Sequence, residues 1–351
     1  MEQGQTATML HKPDDVPVKD VVRIASYHRR DFDLAVVRTN PSDHDQIRSS
    51  LLSPNHATTS TLGQLDILPT ELAHEICLYL DIRSLFRFRQ VNRRAQQIVS
   101  SIRLYRAVIN HALEAFCIIL RTNIAPWFTL SDLFKVLCTK YCQFCGDFGG
   151  FIFLPSFARC CFTCIREENL PRVLPLSVLK QRLKPRSGRL LGFIPTVRTL
   201  PGIYSMDETP RKRRTKVVLR DSVNTLYLSD YSENTRVKRS QSTSLLPYMV
   251  TTSLPYFDPK SGAVQRGISC SGCQVALEKD LYTSGVKPAA CALRDKVYSH
   301  DDFRNHFQNC HEARKLWELS GQGTSIINVP EFVRRRGYFK KRDVMMSFHS
   351  Q

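Results

Sequence analysis

Leu68-Pro69-Thr70-Glu71-Leu72-Ala73-His74-Glu75-Ile76-Cys77-Leu78-Tyr79-Leu80 is the stretch from which the fold is read. Pro69 suits a helix start, where its missing N–H leaves no donor orphaned, and Glu71 favours the positive end of the helix dipole. Leu72, Ile76 and Leu80 recur every four residues with Ala73 and Cys77 alongside, which gives one apolar stripe. Asp81 and Arg83-Ser84 end this helix, and Leu85-Phe86-Arg87-Phe88 begins a second. Asn92 is a natural cap for a third, whose apolar face is Ala95, Ile98, Val99 and Ile102. Three short helices bury little surface alone, so such a unit packs onto its own chain or onto a partner.

Around this block lie 351 residues, 42% of them apolar, enough for two or three domains. Lys and Arg number 50 against 32 Asp and Glu, so anionic surfaces or partners are favoured. The most hydrophobic stretch, Val108 to Phe128, carries Asn110, His111, Glu114, Arg121 and Asn123, and no membrane span is expected. The first ten residues, MEQGQTATML, lack a basic and then apolar leader, and the 12 cysteines then point to reduced thiolates. The expectation is a soluble, intracellular protein, in the cytoplasm or the nucleus.

The expected class is α+β. Residues 1–61 read as a disordered arm ending in the polar run Ser53 to Thr61, although Val16 to Val37 has the composition for a short strand or helix. Order is expected from about Leu65, with the three-helix module at 64–106 and a helical linker at 107–137. A cysteine module follows at 138–170, then a basic region of loops and short strands such as Val217-Val218-Leu219 at 171–265. A second cysteine module occupies 266–320, and 321–351 reads as an unstructured basic tail containing Arg334 to Arg342.

Cys142-x2-Cys145 is followed after 15 residues by Cys161-x2-Cys164. Paired thiolates two residues apart fold onto one metal ion, and two such pairs complete a tetrahedral zinc shell with no open position for catalysis. Gly146 permits the knuckle turn, and Cys160 is the neighbour that could replace Cys161. The second module opens with Cys270-Ser271-Gly272-Cys273. Ser299 and Asp302 suggest a capping box for a helix running from Asp301 to about Leu319. His306 and Cys310, four apart on that helix, would complete a Cys-Cys-His-Cys set across 32 intervening residues. Cys291, His300 and His311 compete for places in it. Two structural zinc ions are therefore expected.

Residues 181–220 hold 11 Lys or Arg against two acids, concentrated in Arg211-Lys212-Arg213-Arg214-Thr215-Lys216. That run suits a nuclear import signal, a nucleic-acid contact or a solvated loop. Neither cysteine module has the compact finger form that sends a helix into the major groove. No phosphate-binding glycine loop, serine elbow or His-Glu-x-x-His occurs, so no catalytic residue is assigned.

Leu68-Pro69-Thr70-Glu71-Leu72, Ile76, Leu80, Leu85 and Arg89-Gln90-Val91-Asn92-Arg93 together resemble the F-box. That is the helical module through which substrate receptors dock on the Skp adaptor of cullin ubiquitin ligases. The resemblance implies that Leu68, Pro69, Leu72, Ile76, Leu80, Leu85 and Val91 form or support the adaptor-facing surface. The family usually carries Trp or another bulky residue where this chain has Ala95, a departure that removes an anchor. The chain further resembles a cysteine-rich family of fungal F-box domain proteins. The matching stretches are Tyr141 to Gly146 with Gly149-Gly150, Arg159 to Cys164, Leu200 to Tyr204, Leu254 to Tyr256, Ser269 to Cys273 and His306-Phe307 with Cys310. The implied function is a non-catalytic substrate receptor with an unknown protein target. The alternatives are a zinc-containing nucleic-acid-binding regulator and an F-box protein working outside a ligase.

Overall fold

Between residues 65 and 106 the chain forms three helices, Thr70–Tyr79, Ile82–Arg89 and Arg93–Ser101. They belong to a computed structural model that describes residues 18–39, 45–52, 60–182, 193–222, 244–283 and 288–340. Leu80 turns extended at a ψ of 142° and ends the first helix, and Asp81 caps the second, its carboxylate accepting the Ser84 amide at 2.9 Å. Asn92 accepts the Ala95 amide, also at 2.9 Å, and opens the third. The fold is α+β, and it divides into two units: Arg30–Arg266 with the chain from Tyr338, and the chain up to Arg29 with Gly267–Gly337.

In the first unit the first and second helices pack on the third, and the third closes onto a helix at Arg103–Arg121, interrupted at Ala112 by a φ of −132°, which in turn packs on Leu130–Leu137. The seam is apolar: Ile82, Leu85, Ala95, Ile98, Val99, Ile102, Tyr105, Val108 and Ile109 are all buried. Thr129 and Asp132 form a complete capping box on the last helix, and the Ile82 amide donates to the Phe128 carbonyl at 2.8 Å. Arg89 is buried beside the Tyr105 ring, 5.8 Å from its centroid, and donates to the Ser50 hydroxyl and carbonyl.

Beyond Cys138 the elements are short. Phe151–Phe153 is the centre strand of an antiparallel sheet, flanked by Ala158–Cys160 and Thr251–Ser253. Lys216–Leu219 is the centre of another, between Val173–Pro175 and Thr196–Arg198. Gly202–Tyr204 and Thr209–Arg211 make a hairpin, and Tyr256–Phe257 pairs with Val264–Gln265.

The second unit joins distant parts of the chain. The helix Val18–Ala25 and the strand Ser26–Tyr27 meet Ser269–Cys270 and the helices Ser271–Thr283, Pro288–Asp295, His300–Asn309, His311–Leu319 and Glu331–Arg335. Its core joins Val21, Ile24 and Ala25 to Ile268, Tyr298, Phe303, Phe307, Ala313 and Trp317. A buried ion cluster lies beside it. Asp295 accepts from Arg29 at 2.7 Å and Arg294 at 2.8 Å, and both guanidinium groups lie about 5 Å from the Phe332 ring centroid.

Three expectations need correction. The arm at 1–61 is not disordered throughout: 18–39 and 45–52 contribute helices, and Phe32, Leu34, Ala35, Val36, Val37 and Leu51 are buried. Each element there spans eight residues or fewer, too short for a sequence period to show. The tail at 321–351 is folded as far as Lys340, because Val333 and Phe339 are buried. The single helix expected from Asp301 to Leu319 is two helices, broken at Cys310 by a ψ of 103°. Residues 1–17, 40–44 and 53–59 of the arm and 341–351 of the tail lie outside the described residues.

Candidate functional site

The helix Thr70–Tyr79 has two apolar faces. Cys77 is buried and His74 bonds Ser101 at 2.8 Å, so that face meets the third helix. On the other face Leu72, Ile76 and Tyr79 follow helical spacing and are 51%, 49% and 82% exposed. Leu65 at 49%, Ile67 at 81% and Val91 at 66% lie on either side in sequence. The turn before the helix is fixed, not frayed. Asp66 accepts the Leu62 amide at 2.6 Å and the Arg94 side chain at 3.2 Å, contacts that hold its carboxyl below the usual range.

Of the residues expected to face an adaptor, Pro69, Leu72, Ile76 and Val91 are exposed and Leu68 and Leu80 half-buried. Leu85 is wholly buried, so it can only support the face from beneath. Ala95 is wholly buried too, packed inside the module, and a small residue there takes nothing from the exposed face. Leu65, Ile67 and Tyr79 are exposed as well and are not among those expected residues. Tyr79 stands seven residues after Leu72, a spacing that carries the signal.

The first cysteine cluster sits where the knuckle after Lys140 meets the strand Ala158–Cys160 and the helix Phe162–Arg166. The sulfurs of Cys142, Cys145, Cys161 and Cys164 all lie within 4.8 Å of one another, with Cys145–Cys161 at 3.4 Å and Cys142–Cys164 at 3.8 Å. A tetrahedral ion with Zn–S bonds near 2.3 Å would set sulfurs about 3.8 Å apart. Gly146 adopts a φ of 79° just after the first pair, a left-handed turn that suits glycine. The Phe144 amide points at the Cys142 sulfur. A hydrogen bond from Cys161 pulls the Cys142 thiol down to about 5, against burial, and the Phe144 and Cys145 amides add to it. Cys160 stands outside the group. It is fully buried in its strand, and burial pushes its thiol well above the ordinary value. Arg159 is also fully buried; burial lowers its guanidinium to about 9, while Cys160, Cys138 and Cys142 favour its charge.

The second cluster gathers Cys270, Cys273, His306 and Cys310, again within 4.8 Å. Cys270–Cys310 is 3.7 Å and Cys273 Sγ to His306 Nε2 is 3.3 Å, close to the roughly 3.6 Å that one zinc would set between a sulfur and an imidazole nitrogen. For Nε2 to present its lone pair the proton must sit on Nδ1, which lies 3.2 Å from the Tyr298 hydroxyl; that ring stacks on the imidazole at 4.7 Å. Hydrogen bonds from Cys270, then Cys273 and His306, hold the Cys310 thiol far below its usual range. Gly272 makes the approach of the two halves possible, because a Cβ there would lie 2.7 Å from the Cα of Ala313 and nearer still to its amide nitrogen. Cys291 and His300 are half-buried outside the cluster, and the His311 side chain is 78% exposed beside Glu312. Both donor sets can hold metal ions, and their chemistry is compatible with zinc.

The cations at Arg211 to Lys216 are divided. Arg211 ends a strand, Lys212, Arg213 and Arg214 are exposed in a loop, and Lys216 begins the next strand. Among the described residues no helix is long and apolar enough to cross a membrane.

Residues 65–107 match the family model described as the F-box domain, and the chain contains an F-box domain. No curated protein and no solved structure matches it. F-box proteins generally act as adaptors that join a Skp protein, and through it a cullin, to a substrate.

Proposed function

We propose that this protein is the substrate receptor of a Skp-cullin-F-box ubiquitin ligase, with the Skp adaptor docking on residues 64–106. The observation that carries the reading is the exposed apolar face of Leu72, Ile76 and Tyr79, with Ile67 exposed just before it in sequence, within the matched residues. A solvated helix face with large apolar anchors is the usual plan of a helix-mediated interface. The receptor transfers nothing itself. It raises the local concentration of a bound protein beside the ligase's loaded enzyme.

Both metal centres are proposed as structural zinc sites held by Cys142, Cys145, Cys161 and Cys164, and by Cys270, Cys273, His306 and Cys310. They staple segments whose strands are only two to four residues long, and each would contribute on the order of 10 kcal/mol to folding. A four-thiolate zinc carries two net negative charges, which gives the buried cation of Arg159 an electrostatic reason to lie nearby. The likeness of the downstream stretches to cysteine-rich fungal F-box proteins belongs to this proposal. So does nuclear entry through the run Arg211 to Lys216, which a fluorescent fusion with Lys212, Arg213 and Arg214 changed to Ala would test by loss of nuclear signal.

Co-expression with a Skp adaptor tests the main reading. The full chain should co-purify with the adaptor, and Leu72→Asp should abolish that while zinc content stays at about two per chain. Adaptor binding that survives Leu72→Asp and Ile76→Asp together would remove the assignment.

A further inference from the structure

In the first unit two carboxylates are engaged with the segment Tyr338 to Lys340. Asp31, at the start of the helix Arg30–Ala35, is 2% exposed, and Glu208, in the turn between Gly202–Tyr204 and Thr209–Arg211, is 4% exposed. Helix and hairpin are linked by the Ser205 amide, which donates to the Ala35 carbonyl at 2.9 Å. Asp31 Oδ2 accepts the Tyr338 amide at 3.2 Å, and Glu208 Oε1 accepts the Lys340 amide at 2.8 Å.

Amides two residues apart point to one side of an extended chain, and the side chain between them points to the other face from its neighbours. The exposures follow that rule: Phe339 is 5% exposed, Tyr338 is 60% exposed and Lys340 lies in solvent. The turn that presents Glu208 holds Ser205 at φ 64° and Glu208 at φ 52°, a left-handed region that collects at binding sites. Backbone capture of this kind supplies affinity without regard to sequence, and a side-chain pocket supplies choice.

We propose that the cleft between this helix and hairpin is a peptide-binding groove that residues 338–340 occupy in cis. Its ligand in trans is an extended protein segment with an aromatic residue followed by Lys or Arg. The chemistry is taken from the occupant, since Phe339-Lys340 runs on into Lys341-Arg342 and the amide acceptors are both carboxylates. A tethered occupant competes at an effective concentration of roughly millimolar, so a free peptide of micromolar affinity would bind the parent chain at least a hundredfold more weakly. The inference goes beyond the receptor reading and does not depend on it, because no adaptor enters the assay.

The probe is a fluorescein-labelled peptide Gly-Tyr-Phe-Lys-Lys-Arg-Asp, titrated by anisotropy into the full chain. Phe339→Ala and, separately, Lys340→Pro (which removes one donated amide) should each bind it at least tenfold more tightly than the parent does. Adding Asp31→Asn and Glu208→Gln to Phe339→Ala should reverse that gain, and a peptide with Ala in place of its Phe should not compete. Hydrogen exchange should quicken at 338–340 in both single variants and stay at the parent's level over 30–35 and 202–211. Equal binding by the parent and both single variants overturns the proposal. So does loss of protection over 30–35 in both, which would make the segment a plain part of the core.

Discussion

Replacing Ile67 and Tyr79 together by Ala should separate adaptor binding from folding. The two side chains are 81% and 82% exposed, so truncating them should move stability by no more than about 0.5 kcal/mol. Full burial of a large apolar side chain is worth about 1.5–3 kcal/mol. With some four-fifths of each still in water, a partner covering both gains roughly 3 kcal/mol or more from the pair. At 1.4 kcal/mol per decade that is about a hundredfold in Kd. Isothermal titration with purified adaptor reads the binding, and a thermal melt of the same samples reads the fold. Leu85→Ala is the contrasting variant. Leu85 is wholly buried, so its truncation should cost about 2–5 kcal/mol of stability and lower binding only in proportion to unfolded chain. A double variant that binds within threefold of the parent would refute the reasoning, as would one whose loss of binding tracks a loss of fold.

Elemental analysis should find one zinc per chain instead of two in Cys161→Ser, while Cys160→Ser keeps both, because only Cys161 of that pair joins the sulfur cluster. Gly272→Ala forces a Cβ against the Ala313 backbone; it should cost about 1–3 kcal/mol or more and release the second metal before the first in a chelator titration. Asp295 gives a pH signature. Burial raises its pKa, but the Arg294 hydrogen bond and the Arg29 charge outweigh it and bring the carboxyl to about 2. A depressed carboxyl stabilises the fold fully above the unfolded value near 3.8 and loses that contribution as pH falls toward 2, about 2 kcal/mol in all. Asp295→Asn should therefore be strongly destabilised in urea at pH 7, and its deficit against the parent should shrink at pH 3.

The parts that local chemistry decides were the legible ones. Asn92 and Ser299 declare helix starts because each cap bond closes within three residues. The Cys-x2-Cys pairs declare themselves because a thiolate knuckle needs that spacing. Cys310 shows where local rules mislead. Its separation from His306 suits a continuous helix equally well, and the ψ that breaks the helix leaves no mark in composition. The full burial of Ala95 depends on the partner helix at Arg103–Arg121, which its own helix does not announce. The segment from Val18 to Val37 was obscure for another reason. Ser26 pairs with Cys270 and Val37 with Thr252, and partners that far along the chain leave no periodic trace.

The interleaving of the two units sets an order of events at the ribosome. His28 bonds the carbonyl of Gly267, 239 residues later in the chain, so the early helix and strand leave the exit tunnel long before their sheet partner is made. At about 5–20 residues per second that wait lasts roughly 12–50 s. Until then Val21 and Ile24 lack the core that buries them, while the intervening unit has time to mature. A chaperone that holds nascent amphipathic segments would meet this chain early and release it late.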